Sequence, residues 1–135
     1  MAGYSQTPLV KKLGIKPEFR ILTKNEPIDY WKWISPLPQG VAKVSKPKSE
    51  DLNFVHLFVT SLKTFESDFL KFKSALKKDG MLWISWPKKS SMIETDLDEN
   101  KIRDFGLANG LVDIKVCAVN EIWSGLKFVY RTKDR

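Results

Sequence analysis

Two short, largely apolar runs, Phe54 to Val59 and Met81 to Trp86, flank a segment of helical period, and this triplet limits the possible fold more than any other stretch. An unbroken apolar run reads as a strand covered on both faces, the condition of a parallel sheet under helices. Between the runs Leu62, Phe65, Phe69, Phe72 and Leu76 recur at steps of three and four, so they share one helix face. Ser61 stands at the cap, Glu66 and Asp68 in the first half, and Lys71, Lys73, Lys77 and Lys78 in the second, the order that the helix dipole favours. Asp79-Gly80 reads as the stop. Strand, crossover helix and parallel strand together predict an open α/β sheet whose ligands lie beyond the carboxyl ends of its strands. With sheet on either side of the helix, the phenylalanine stripe is read as core, not as a cofactor surface.

The flanking segments extend this plan. Thr7-Pro8, Leu9, Val10, Leu13 and Gly14 read as a two-turn helix with proline at its first position and a glycine stop. Phe19 to Leu22 is the expected first strand, Ile28 to Ile34 a short helix, and Val41 to Ser45 a brief second strand. Lys46 to Asn53 is too short for an ordinary parallel crossover, which puts that second strand at an edge or makes it irregular. Beyond the central unit, Asp96 and Glu99 have capping-box spacing for a helix whose Ile102, Phe105 and Leu107 face inward and which stops at Asn109-Gly110. Leu111 to Val119, with Val112, Ile114, Val116 and Ala118 on one face, and Leu126 to Thr132 then form a closing hairpin across Asn120 to Gly125.

A chain of 135 residues is expected to form one α/β domain, residues 1–135, with a sheet of five or six strands and helices on both faces. No run is long enough for a membrane helix and the start lacks a secretory pattern, so a cytoplasmic location and no membrane partner are expected. The formal charge of +7 favours anionic partners. Only Arg20, Arg103, Arg131 and Arg135 are arginines, and base-edge reading leans on bidentate arginine, so sequence-specific DNA binding is not expected. His56 is the single histidine and Cys117 the single cysteine, which excludes the familiar metal-ligand spacings; both are read as core residues, and no metal or cofactor is expected.

Collecting the residues after each expected strand gives the candidate ligand set: Lys24, Lys46, Ser61, Trp86, Lys88 and Lys89, with Glu121, Trp123 and Ser124 from the hairpin. The lysines supply charge, the start of the helix at Ser61 supplies N–H groups for an anion, and the tryptophans supply stacking surfaces. No glycine-rich phosphate loop is present. The resulting expectation is a non-enzymatic binding module for an anionic or nucleotide-like ligand. The alternatives are a transferase-type enzyme with a non-standard cofactor site and Glu121 as base, a protein-interaction domain, or a non-specific nucleic-acid binder.

Two resemblances accompany this reading. The order of elements around DGMLWISWP and the closing hairpin resembles the later half of class I S-adenosylmethionine-dependent methyltransferases, which implies a Rossmann-like, methyltransferase-like sheet. That family is expected to carry a glycine-rich turn after the first strand and an acidic residue after the second; here Thr23-Lys24-Asn25-Glu26-Pro27 and Ser45-Lys46-Pro47-Lys48 stand in those places. The stretches MAGYSQTPLVKKLGIKP, FVHLFVTS, DGMLWISWPKKSS and GLVDIKVCAVNEIWSGLKFVYR also resemble an uncharacterised bacterial domain-of-unknown-function family, which implies no activity and no site residues.

Overall fold

The computed structural model describes residues 7–135, so the opening MAGYSQ of the family-like motif lies outside the described residues. The elements in order are α1 (Leu9–Leu13), β1 (Arg20–Lys24), α2 (Tyr30–Trp33), β2 (Ala42–Lys43), β3 (Leu52–Phe58), α3 (Leu62–Lys73), β4 (Leu76–Pro87), α4 (Glu99–Ala108), β5 (Leu111–Ala118) and β6 (Trp123–Tyr130). They build one six-stranded sheet of order β2-β1-β3-β4-β6-β5. β2, β1, β3 and β4 are parallel, and β6 is antiparallel to both β4 and β5. The expected mostly parallel sheet with an antiparallel closing hairpin is therefore the observed one.

Both faces of the central strands are covered, as their apolar runs require. Val55, Leu57, Leu82 and Ile84 pack under α3 and α4 with Leu126 and Phe128 of β6. Phe54, Phe58, Met81 and Trp83 face the other way, against Leu13, Tyr30 and Ile34. The Trp83 indole N–H donates to the Leu13 carbonyl at 2.8 Å and pins the end of α1 to the sheet. Phe69 is a hub on the α3 side, with edge-on contacts to Phe65, Phe105 and Phe128 at centroid distances of 5.3 to 5.8 Å.

His56 and Ser85 are the polar residues inside the central runs, and each has partners. The His56 Nδ1 lies 2.9 Å from the Tyr30 hydroxyl and its Nε2 lies 2.7 Å from Ser85 Oγ. A neutral imidazole offers one donor and one acceptor, and a hydroxyl can answer either, so both ring nitrogens are satisfied inside the core. Burial holds the imidazole neutral and pulls its pKa from 6.5 down to about 3.

Several boundaries differ from expectation. The helix stops at Lys73, not at Asp79-Gly80, because Leu76 leaves the stripe to pair with Leu52 as the first residue of β4. The ladder then jumps to Phe54 opposite Met81, so Asp79-Gly80 lies in a bulge inside the strand. Gly80 is required there, since a Cβ would stand 2.9 Å from the Leu52 carbonyl. α1 has five residues, with Pro8 at the cap position and Gly14 closing it at φ +84°. β2 is two residues long at the sheet edge, which resolves the short connection to β3.

α4 starts two residues later than expected, capped by Asp98, whose Oδ1 accepts from Lys101 N at 2.8 Å. Leu107 is exposed, and Gly106 takes the inward position beside Ile102. In β5 a bulge at Ile114 breaks the expected alternation, leaving Ile114 and Val116 about half exposed. Cys117 is half-buried on this edge strand, not in the core. Burial raises its thiol pKa.

Gly106 approaches β6 so closely that a Cβ would overlap the Phe128 ring. Gly106→Ala gains about 1 kcal/mol of helix propensity but overpacks this contact, at a cost of about 1–3 kcal/mol or more. The expected result is a lower midpoint of urea denaturation, and an increased midpoint would contradict the packing. His56 adds a pH dependence. Its folded pKa is depressed, so its contribution is present above pH 6.5 and declines as pH falls toward about 3, by about 1.4 kcal/mol per unit. His56→Gln should flatten the acid limb of the stability profile by up to one proton.

Candidate functional site

The carboxyl ends of the parallel strands share one edge, and β6, being antiparallel, brings its first residues to the same edge as the last residues of β4. Trp86 stands opposite Ser124 and Pro87 opposite Trp123. The α4 N-terminus returns to this edge because α4 follows β4. Between these parts lies a pocket of about 630 Å³, walled by Trp86, Pro87, Lys88, Lys89 and Ser124 on one side and Thr95 to Lys101 on the other. The Lys88 N–H donates to the Ile122 carbonyl at 2.7 Å, which ties the pocket loop to the hairpin. The Ser91 hydroxyl closes the loop on the Lys88 carbonyl at 2.6 Å.

Every carboxylate on the pocket wall already has a partner within the protein. Asp96 Oδ1 accepts from Leu62 N at 2.7 Å, Asp98 caps its own helix, and Glu99 is bound by Arg103. Lys101 turns its ammonium onto the Asp96 carbonyl at 2.7 Å. Lys88 and Lys89 form no ion pair among the described residues. The wall holds as many carboxylates as lysines, and of its carboxylates Glu99 is the one that meets a cation.

The candidate set from the sequence separates into groups. Trp86, Lys88, Lys89 and Ser124 share the pocket. Ser61 lies in an adjoining cleft with Thr60, Glu94, Thr95 and Asp96. It caps α3 as expected, accepting from Thr64 N at 3.2 Å. The anion at that helix start is the protein's own Asp96, which serves α3 instead of capping α4. Trp123 is on the opposite face from Trp86, with its ring edge-on to Phe58 at 5.1 Å, so the two tryptophans do not converge. Glu121 is exposed in the hairpin turn outside the pocket lining.

Lys24 forms an ion pair with Asp68 of α3 at 2.7 Å, and Lys46 lies in a groove beside Lys71, away from Lys88. The residues that sequence reasoning missed are those of the α4 N-terminus. Their signal was available, since the helix after a strand begins at that strand's carboxyl end. Among the described residues no helix is long and apolar enough to cross a membrane. No group of three or more His, Cys, Asp or Glu among them could hold a metal ion.

No protein-family model and no curated protein matches the chain, so the expected membership of an uncharacterised bacterial family gains no support. Solved structures do match. A SAM-dependent methyltransferase from Aquifex aeolicus aligns at 15% identity over 89% of this chain and 86% of that one, with a TM-score of 0.59. The DhpI–SAH complex aligns at 10% identity over 93% and 83%, with a TM-score of 0.64. The 1,6-didemethyltoxoflavin-N1-methyltransferase of Burkholderia thailandensis, with its bound 1,6-didemethyltoxoflavin and S-adenosylhomocysteine, aligns at 9% over 96% and 79%, with a TM-score of 0.60.

The fold is methyltransferase-like. Its first two strand ends depart from the pattern expected of that family. The turn after β1 passes through Asn25 at φ +59°, a left-handed conformation that glycine adopts freely and asparagine tolerates. β2 ends at Lys43 and is followed by Val44, Ser45 and Lys46.

Asp96 gives this region a testable structural role. Removing its carboxylate leaves the Leu62 N–H at the α3 start without its partner, so Asp96→Ala should destabilise the fold by about 1 kcal/mol in chemical denaturation. An unchanged midpoint would dissociate Asp96 from α3.

Proposed function

We propose that this protein binds a small anionic ligand, nucleotide-like in combining negative charge with an apolar ring, in the pocket between the end of β4 and the start of α4. The observation that supports this reading is that Lys88 and Lys89 stand on the pocket wall beside Trp86 without an ion pair among the described residues, while Glu99 is neutralised by Arg103. Trp86 supplies an apolar wall and Ser124 a hydroxyl on the same face. Two lysines recognise an anion as point charges, which favours phosphate, sulfate or carboxylate over a ligand requiring fixed bidentate geometry.

Methyl transfer is the second reading. Its specific support is the shared fold with methyltransferase structures, two of them holding S-adenosylhomocysteine. S-adenosylmethionine supplies a methyl group from a cationic sulfonium, and the residues at the first two strand ends do not suit it. Lys24, Lys43 and Lys46 stand there, without a glycine turn and without a carboxylate after β2. Glu121 lies outside the pocket, so it does not serve that reading as base.

A thermal-shift series with phosphate, sulfate, mononucleotides, S-adenosylmethionine and S-adenosylhomocysteine separates the two. At one hundred times its Kd an anionic ligand stabilises the fold by about 2.7 kcal/mol, a rise of several degrees in Tm. Lys88→Ala/Lys89→Ala should abolish that rise. A shift with S-adenosylmethionine and none with anions would replace the first reading by the second. No shift with any of them would end the ligand-pocket reading.

A further inference from the structure

We propose a second binding site, independent of the first: a lysine-lined groove along α3 that takes a linear chain of phosphates, either the tail of a nucleotide or the backbone of a nucleic-acid single strand. After β2 the chain doubles back along α3 and is tied to its end, with Glu50 N donating to the Ser74 carbonyl at 3.1 Å and Asp51 N to the Ala75 carbonyl at 2.8 Å. Two cavities of about 280 and 430 Å³ lie side by side along this return, with Ser45 and Phe72 in the walls of both, and we take them together as one groove. Lys24, Lys43, Lys46, Lys48 and Lys71 line it, and no aspartate or glutamate does.

Lys24 is neutralised by Asp68. The other four lysines have no ion pair among the described residues. Asp51, behind Lys48, is held by the Arg20 guanidinium at 2.8 and 3.3 Å. The groove therefore presents Lys43, Lys46, Lys48 and Lys71 with no carboxylate in its lining. A run of phosphates can meet these ammonium groups one after another, which a single small anion cannot. The groove lies beside residues 44–49, an irregular segment that bends at Ser45 and Lys46 and spans at most about 20 Å. Trp31 stands at one end, with the Lys43 ammonium over its ring 3.8 Å from the centroid. A cationic track with an aromatic at hand is the chemistry of sequence-tolerant nucleotide binding, and lysine rather than arginine accords with contacts to phosphate alone.

The test is fluorescence anisotropy of a labelled octathymidylate with the full chain, and competition by inorganic tripolyphosphate and by orthophosphate. The labelled strand should bind at low salt, and tripolyphosphate should compete at far lower concentration than orthophosphate. Binding should fall with salt at a slope of about −0.7 per phosphate contacted. Lys46→Ala/Lys48→Ala/Lys71→Ala should weaken binding at least tenfold and reduce the slope by about 2, while the control Lys11→Ala/Lys63→Ala/Lys133→Ala, with the same loss of charge, should not. Tripolyphosphate binding in isothermal titration calorimetry without strand binding would identify a nucleotide tail as the source of the phosphates, and the converse a nucleic-acid backbone. No binding of either, or equal weakening by the groove and control variants, would overturn the site. Binding that follows Lys88 and Lys89 instead would assign it to the pocket under α4 and also overturn this proposal.

Discussion

The structure depends on covering both faces of β3 and β4. Each of these strands sends apolar side chains to both sides, and exposing either face would cost roughly 25 cal/mol for every Å² of apolar surface left in water. Helices α3 and α4 cover one side, and α1 and α2 cover the other. The polar atoms within this layer are bonded in place, with His56 bridging Tyr30 and Ser85 across three elements. Burial holds the Tyr30 phenol protonated far above its usual range, so that bridge stays neutral at one end as at the other.

Chemistry is thereby restricted to the rims. At the carboxyl edge, the helix starts that would welcome an anion already have their own aspartates: Asp96 at α3 and Asp98 at α4. This leaves lysines as the uncommitted groups, both in the pocket beside Trp86 and in the groove beside Phe72. Asp96 and Asp98 are used at helix starts, Glu99 and Asp113 fasten Arg103, and Asp68 meets Lys24.

The methyltransferase-like scaffold is reached without the strand ends expected of S-adenosylmethionine-dependent methyltransferases. Substituting lysines and asparagine for a glycine turn and an acid leaves the sheet order intact, because that order follows from which strands are apolar on both faces, not from the loops between them. Fold and ligand chemistry are separable in this chain for that reason.

The sequence by itself determined the central parallel unit, the hairpin and the two-sided cover, since periodicity and apolar runs are local signals. His56 was legible as a core histidine because its neighbours along the strand are apolar. The tertiary structure alone decided the register and the partners. The slip that carries Asp79-Gly80 into β4 comes from Leu76 meeting Leu52, and nothing near Gly80 in sequence announces it. Trp86 and Trp123 follow equivalent apolar patterns, yet antiparallel pairing puts them on opposite faces. Asp96 has the spacing of a cap for the helix that follows it, but its carboxylate reaches a helix 34 residues earlier. Residue types and spacings determine which groups a chain can offer, whereas contacts between distant segments determine which of those groups remain unpaired and face a ligand.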